Sequence, residues 1–201
     1  GGPTNKGITL AVFARERGID VTTDNFAALK AALQSIPDAL VRDIYVRRYW
    51  QPARCAALRA PLALMHFDAA VNHGVSAATR FIQEVLDVDV DGEIGPITLA
   101  AARKAPLRQT VARYGDIRRR RYRALPHFWR FGRGWLNRVT KTRAAALRLV
   151  TSAPPRKDTT MTTRPAEPTP KWWGSSMTIW GTILTAISTV LPAVGPLFGL
   201  D

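Results

Sequence analysis

Cysteine is almost absent, since Cys55 stands alone in 201 residues. That excludes an intrachain disulfide and any cysteine-rich metal centre. Histidine is scarce as well: His66, His73 and His127 are the full set, and the seven-residue step from His66 to His73 does not fit the HExxH register of a helical zinc site. No segment alternates apolar and polar residues strongly enough to read as a strand. Acids are in short supply, with 15 Asp and Glu against 29 Lys and Arg and a net charge of +14. Such an excess suits a polyanion: nucleic acid, anionic lipid or an anionic cell wall. It also fits a generally basic surface, because the arginines are spread over most of the chain. Charge alone names no partner.

What remains is helical. A first helix follows the opening loop and stops at Gly18, and Phe26, Leu29, Leu33 and Ile36 keep the three-to-four spacing of one buried helix face. Ser35 reads as the cap of the next helix, with Pro37 in its first turn and Asp38 closing a box-like pair. That run carries Leu40, Val41, Ile44, Tyr45 and Tyr49 to Trp50, and Pro52 ends it. Pro61 opens a helix apolar nearly all round, the mark of a core helix, which Gly74 stops. Further helices are expected from about Ser76 to Leu86, from near Pro96, along Leu107 to Leu125, and from about Trp135 to Val150. The spacing predicts an all-α domain.

Composition changes after Val150. Residues 151–171 are rich in Pro, Thr and basic side chains, which predicts a disordered linker. Residues 172–200 carry no charge, and their apolar heart from Met177 to Leu200 is long enough for a transmembrane helix. Trp172, Trp173 and Trp180 sit near its entry, where aromatic belts lie. Pro192, Gly195 and Pro196 interrupt it late, which leaves a shorter span or a re-entrant hook open as well. Being C-terminal, it is not a signal peptide. Arg164 and Lys171 before the span favour the domain on the cytoplasmic side.

Several segments could carry chemistry. The run Gly1-Gly2-Pro3-Thr4-Asn5-Lys6-Gly7-Ile8-Thr9 is a turn-rich loop whose Thr4, Asn5 and Thr9 suit sugar hydroxyls, or which simply caps the first helix. Glu16 lies between Arg15 and Arg17, which lower a carboxyl's pKa and so spoil it as a general acid. Asp68 and Asn72 face the same way on the core helix, either toward a groove or in a buried hydrogen-bond network. Asp87, Asp89 and Asp91 with Gly92 resemble a calcium loop, but Thr98 stands where its bidentate Glu belongs, so a turn is the better reading and no metal is expected. Arg118 to Arg121 ring a helix and wrap its wet side without interleaved aromatics, so no specific nucleic acid is expected. Trp129, Phe131 and Trp135 either stack on sugars or pack the core.

Taken in order, the G-G-x-T-N-x-G-I-T run resembles the glycoside hydrolase 108 family, the muramidases of phages, prophages and gene transfer agents. The resemblance continues through Ile44-Tyr45, Tyr49-Trp50 and Phe67-Asp68-Ala69-Ala70-Val71-Asn72-His73-Gly74. Ile82-Gln83, Asp91-Gly92-Glu93-Ile94-Gly95-Pro96-Ile97-Thr98 and Gly134-Trp135-Leu136-Asn137-Arg138-Val139 complete it. The segment from Ile82 to Thr98 is similar to small helical peptidoglycan-binding modules.

The resemblance implies a lysozyme-like fold. It also implies a peptidoglycan hydrolase cleaving the β-1,4 bond between N-acetylmuramic acid and N-acetylglucosamine, without a cofactor. It covers a muramidase part expected to be truncated (1–74) and a helical peptidoglycan-binding part (75–150), to which composition adds the linker (151–171) and the membrane segment (172–200). Thr4, Asn5, Thr9, Tyr49, Trp50, Asp68, Asn72 and His73 become candidate substrate-binding residues. The family's catalytic glutamate, in an E-G-G motif, is expected upstream of Gly1. The chain as given is therefore expected to hold peptidoglycan but hydrolyse it little, from a C-terminal anchor in the bacterial inner membrane. The alternative is a non-enzymatic, membrane-tethered peptidoglycan-binding module.

Overall fold

The computed structural model describes residues 2–151, so the expected linker and membrane segment lie outside the described residues. The fold opens with a small antiparallel hairpin, β1 (Thr4–Asn5) and β2 (Ile8–Thr9), paired Thr4 to Thr9 and Asn5 to Ile8. This corrects the expectation of no strand. Two-residue strands are too short to alternate, and the turn carries them: Lys6 (φ 49°) and Gly7 (φ 79°) both have the positive φ of a type I′ hairpin turn.

Eight α-helices follow among the described residues: α1 (Leu10–Glu16), α2 (Phe26–Gln34), α3 (Asp38–Tyr45), α4 (Ala60–His73), α5 (Val75–Leu86), α6 (Pro96–Lys104), α7 (Leu107–Arg123) and α8 (Phe128–Thr151). The expected mostly helical fold is present, with local corrections. Pro37, not Ser35, is the residue before α3, and the Ser35 hydroxyl donates back to the carbonyls of Ala31 and Ala32. The Asp38 carboxylate pairs with Lys6 instead of closing a capping box. Phe26, at the start of α2, is exposed while Leu29 and Leu33 are buried. Beyond Tyr45 the chain widens into a π-helical turn, Val46–Trp50, closed by Gln51 N–H to Val46 O at 2.9 Å. That extra residue per turn swings the Trp50 ring against Phe67, centroids 5.4 Å apart.

Helix α8 starts seven residues earlier than the apolar spacing suggested. Gly132 permits it: a Cβ there would sit 2.5 Å from the Phe128 ring, so the missing side chain lets Phe128 fold down onto its own helix. At the crossing of α7 and α8, Gly115 presents bare backbone to Val139 and Met65.

The core centres on α4, in which every residue from Pro61 to Asn72 is buried. It packs against α5, α7 and α8, so the segments before and after Gly74 share one interior. Among the described residues no helix is long and apolar enough to cross a membrane.

Candidate functional site

The N-terminal hairpin is fixed by its own polar groups. The Asn5 amide donates to the carbonyls of Leu33 (2.9 Å) and Gln34 (2.8 Å), where α2 leaves acceptors without helical partners. Lys6 Nζ donates to Ile36 O at 3.1 Å, and Tyr45 OH donates to the Lys6 carbonyl at 3.2 Å. Thr9 caps α1 by accepting from Val12 N–H, and Thr4 Oγ1 donates to Gly2 O. Asn5, Lys6, Thr9 and Tyr45 thus tie the loop to α1, α2 and α3, while the Thr4 bond stays within the loop.

Glu16 ends α1 in a clamp of two arginines, Arg48 Nε at 2.8 Å and Arg47 Nη2 at 2.7 Å. The Arg48 hydrogen bond lowers its pKa first; burial works against this, and Arg47 lowers it further. The sequence neighbours Arg15 and Arg17 play no part. The cations come from the turn after α3, which spacing along α1 could not reveal.

Asp68 lies inside. Arg138 of α8 donates to its Oδ1 through Nε (3.0 Å) and Nη2 (2.8 Å), while Arg118 Nη2 of α7 lies 2.7 Å from Oδ2. Burial pushes the Asp68 carboxyl up, but the two guanidiniums outweigh it and hold it at about 2. Arg118 is fully buried, so the expectation of four arginines on the wet side of α7 is corrected. Helical spacing sets position 118 on the same stripe as Val111, Tyr114 and Tyr122, all buried, and α4 supplies the counter-charge. Asn72 donates to the Asp68 backbone carbonyl at 2.5 Å, one turn back along α4. His73 packs against Tyr122 (4.5 Å, tilted) and edge-on to Phe81 (5.2 Å); burial first, then Arg118, pushes its pKa well down. Asp68 and Asn72 are thus linked by a hydrogen bond within α4, and His73 lies within electrostatic reach of Asp68 and Arg118. The neighbouring His66 bridges Tyr114 OH and Ala53 O at 3.0 Å each.

Two open clefts lie among other residues. A cleft of about 720 Å³ runs between Pro52 and Arg54 on one side and Val75, Ser76, Thr79 and the Gly92–Pro96 turn on the other. A second, of about 450 Å³, is lined by Val46, Trp50, Gln51, Arg54, Ala56 and Ala57. The two meet at Arg54, a left-handed residue (φ 50°) whose Nη1 donates to Ile94 O at 2.6 Å. Of the sequence-derived candidates, Trp50 lines a cleft wall, and Tyr49 sits beside it with its ring 5.8 Å from Tyr45.

Gln83 holds the Gly92–Pro96 wall through three hydrogen bonds. Its amide donates to Asp91 Oδ1 (2.5 Å) and Glu93 O (2.9 Å), and its carbonyl accepts Gly92 N–H (2.9 Å). Asp91 thus serves a turn, as its Asp-Gly sequence suggests, and no metal-ligand cluster occurs among the described residues. Arg54 carried no sequence signal, because its role depends on a backbone conformation and a partner 40 residues away. Trp135 is buried against Tyr122 (5.1 Å, stacked), whereas Trp129 is 81% exposed.

The glycosyl hydrolase 108 family profile matches residues 1–74, and the predicted peptidoglycan domain profile matches residues 77–140. SagA of Brucella abortus, in its solved structure, is 33% identical, with a TM-score of 0.62 over 73% of this chain and 80% of that one. This chain belongs to the glycosyl hydrolase 108 family. Comparison with curated proteins gives no match. Within this family member, the larger cleft falls where the two matched regions meet: Pro52 and Arg54 come from the first, Thr79 and the Gly92–Pro96 turn from the second.

Proposed function

We propose that this chain is a lysozyme-like muramidase polypeptide that holds peptidoglycan in the paired clefts meeting at Arg54. The observation carrying this reading is that the larger cleft is walled jointly by the hydrolase-family and peptidoglycan-family regions. Its chemistry suits the ligand. Trp50, mostly buried, gives one wall an apolar lining, the exposed Ser76 offers a hydroxyl, and Arg54 offers a fixed cation for a stem-peptide carboxylate.

Glycoside hydrolysis needs a carboxyl held protonated near neutral pH. Among the described residues, the three carboxyls whose acidity is displaced, Glu16, Asp68 and Asp91, are all moved the other way. The expected behaviour is retention on the wall with little hydrolysis by residues 1–201 themselves. The family's E-G-G glutamate would supply that step. The apolar stretch 177–200 supports an inner-membrane anchor, and the cell wall as the place of action.

Co-sedimentation with purified peptidoglycan and a turbidity assay on cell walls test both halves. Pelleting that Arg54→Ala weakens about tenfold, with negligible clearing, is expected. Failure to pellet overturns the binding reading, and brisk clearing overturns the expected inactivity.

A further inference from the structure

The arginines run along the whole sequence, but the acids do not. Residues 1–106 carry twelve basic and eleven acidic side chains, close to neutral. Residues 107–151, which form α7 and α8, carry thirteen basic side chains against a single acid, Asp116. The excess charge of the described molecule therefore sits almost entirely on one helical hairpin.

At the tip of that hairpin the charge meets an apolar cap. Tyr122, Trp135 and Val139 form a small buried cluster, separate from the main core, and Leu125, Phe128 and Phe131 cover it while remaining half-exposed. With Phe128 folded down over Gly132, the next residue is turned outward, and Trp129 stands 81% exposed. Arg121 and Arg123 end α7 and Arg130 and Arg133 lie in the first turns of α8, all exposed, with Arg130 5.3 Å from the Phe131 ring centroid.

We infer that the α7–α8 tip docks on an anionic phospholipid surface, with Trp129 entering the headgroup layer and the four arginines on the phosphates. A sugar-binding tryptophan ordinarily forms the floor of a groove edged by hydroxyl partners. This one stands 81% exposed in the first turn of α8 and lines neither of the clefts described above, a placement that suits a deformable surface. An indole with half-exposed phenylalanines and arginines is the side-chain set of interfacial segments. A hydrophilic wall polymer would satisfy the arginines but leave the indole without an apolar medium. This surface is distinct from the Arg54 clefts and does not depend on residues 152–201.

The test is binding of the full chain to vesicles of phosphatidylcholine alone and with phosphatidylglycerol. An apolar tail would partition into both, so the readout is the anionic-to-neutral ratio. Each arginine near such a surface contributes about fivefold, so the ratio should be about a hundredfold or more in 0.1 M salt and shrink in 0.5 M. Arg121→Glu, Arg123→Glu, Arg130→Glu and Arg133→Glu together should abolish the ratio while the far-UV spectrum and peptidoglycan pelleting persist. Trp129→Ala should weaken anionic-vesicle binding severalfold with the charge unchanged. A ratio untouched by the fourfold variant overturns the inference. So does a fourfold variant that keeps its vesicle ratio but loses retention on lipid-free peptidoglycan, which would make a wall polymer the partner.

Discussion

Replacing Asp68 by Asn keeps the shape of the α4–α7–α8 interior and removes the carboxylate that two buried guanidiniums share. Arg118 and Arg138 are 0% and 3% exposed, each within 3.0 Å of an Asp68 oxygen, so neither can turn to water once the charge is gone. Breaking a buried pair by removing one partner costs about 3–5 kcal/mol, and here two cations lose the same partner. Against a total stability of about 5–15 kcal/mol, Asp68→Asn should lower the urea midpoint by about 2 M. Arg118→Met should cost much less, about 1–2 kcal/mol, because it leaves Asp68 and Arg138 as a balanced pair. Urea unfolding followed by circular dichroism reads both variants. An Asp68→Asn midpoint within 0.3 M of the parent, or an Arg118→Met loss as large as that of Asp68→Asn, would refute the shared-charge account.

Acid should weaken the fold from just below neutrality. Burial pushes His66 down to about 4, so between about pH 6.5 and 4 the unfolded chain takes a proton that the folded chain refuses. Stability should then be full above pH 7 and fall by about 3 kcal/mol across that window, with His73 acting in the same direction. Denaturant midpoints at pH 7, 6, 5 and 4 check this, and a flat profile would contradict it. Below pH 4 the Asp68 contribution, held down to about 2, should be lost in turn. Gly132→Ala places a methyl group against the Phe128 ring and should cost about 1–3 kcal/mol, most visibly as unfolding of the α7–α8 tip by hydrogen exchange.

Spacing and its stop signals were enough to place α4 and α5 to within a residue and the start of α6, because Pro61, Gly74 and Pro96 bound those runs. It failed where a local rule met a tertiary partner. The glycines at 132 and 134 interrupt the apolar pattern, yet the helix runs through them because Phe128 needs the space of Gly132. Arg118 looked solvent-facing in a run of four arginines, yet its place on the helical stripe, with Asp68 opposite, draws it inside.

The sequence by itself determined the helical class, the ordered family motifs, the basic excess and the near absence of cysteine, since each depends on residue type and spacing alone. The tertiary structure decided what those residues do. Asn5 and Thr9 became ties of the N-terminal hairpin, and Asp68 became the counter-ion of two arginines 50 and 70 residues away along the chain. Arg54 became the meeting point of two clefts, and the surplus charge was gathered onto one hairpin. Burial and pairing arise only when distant helices close on one another, and no pattern within a single helix records them.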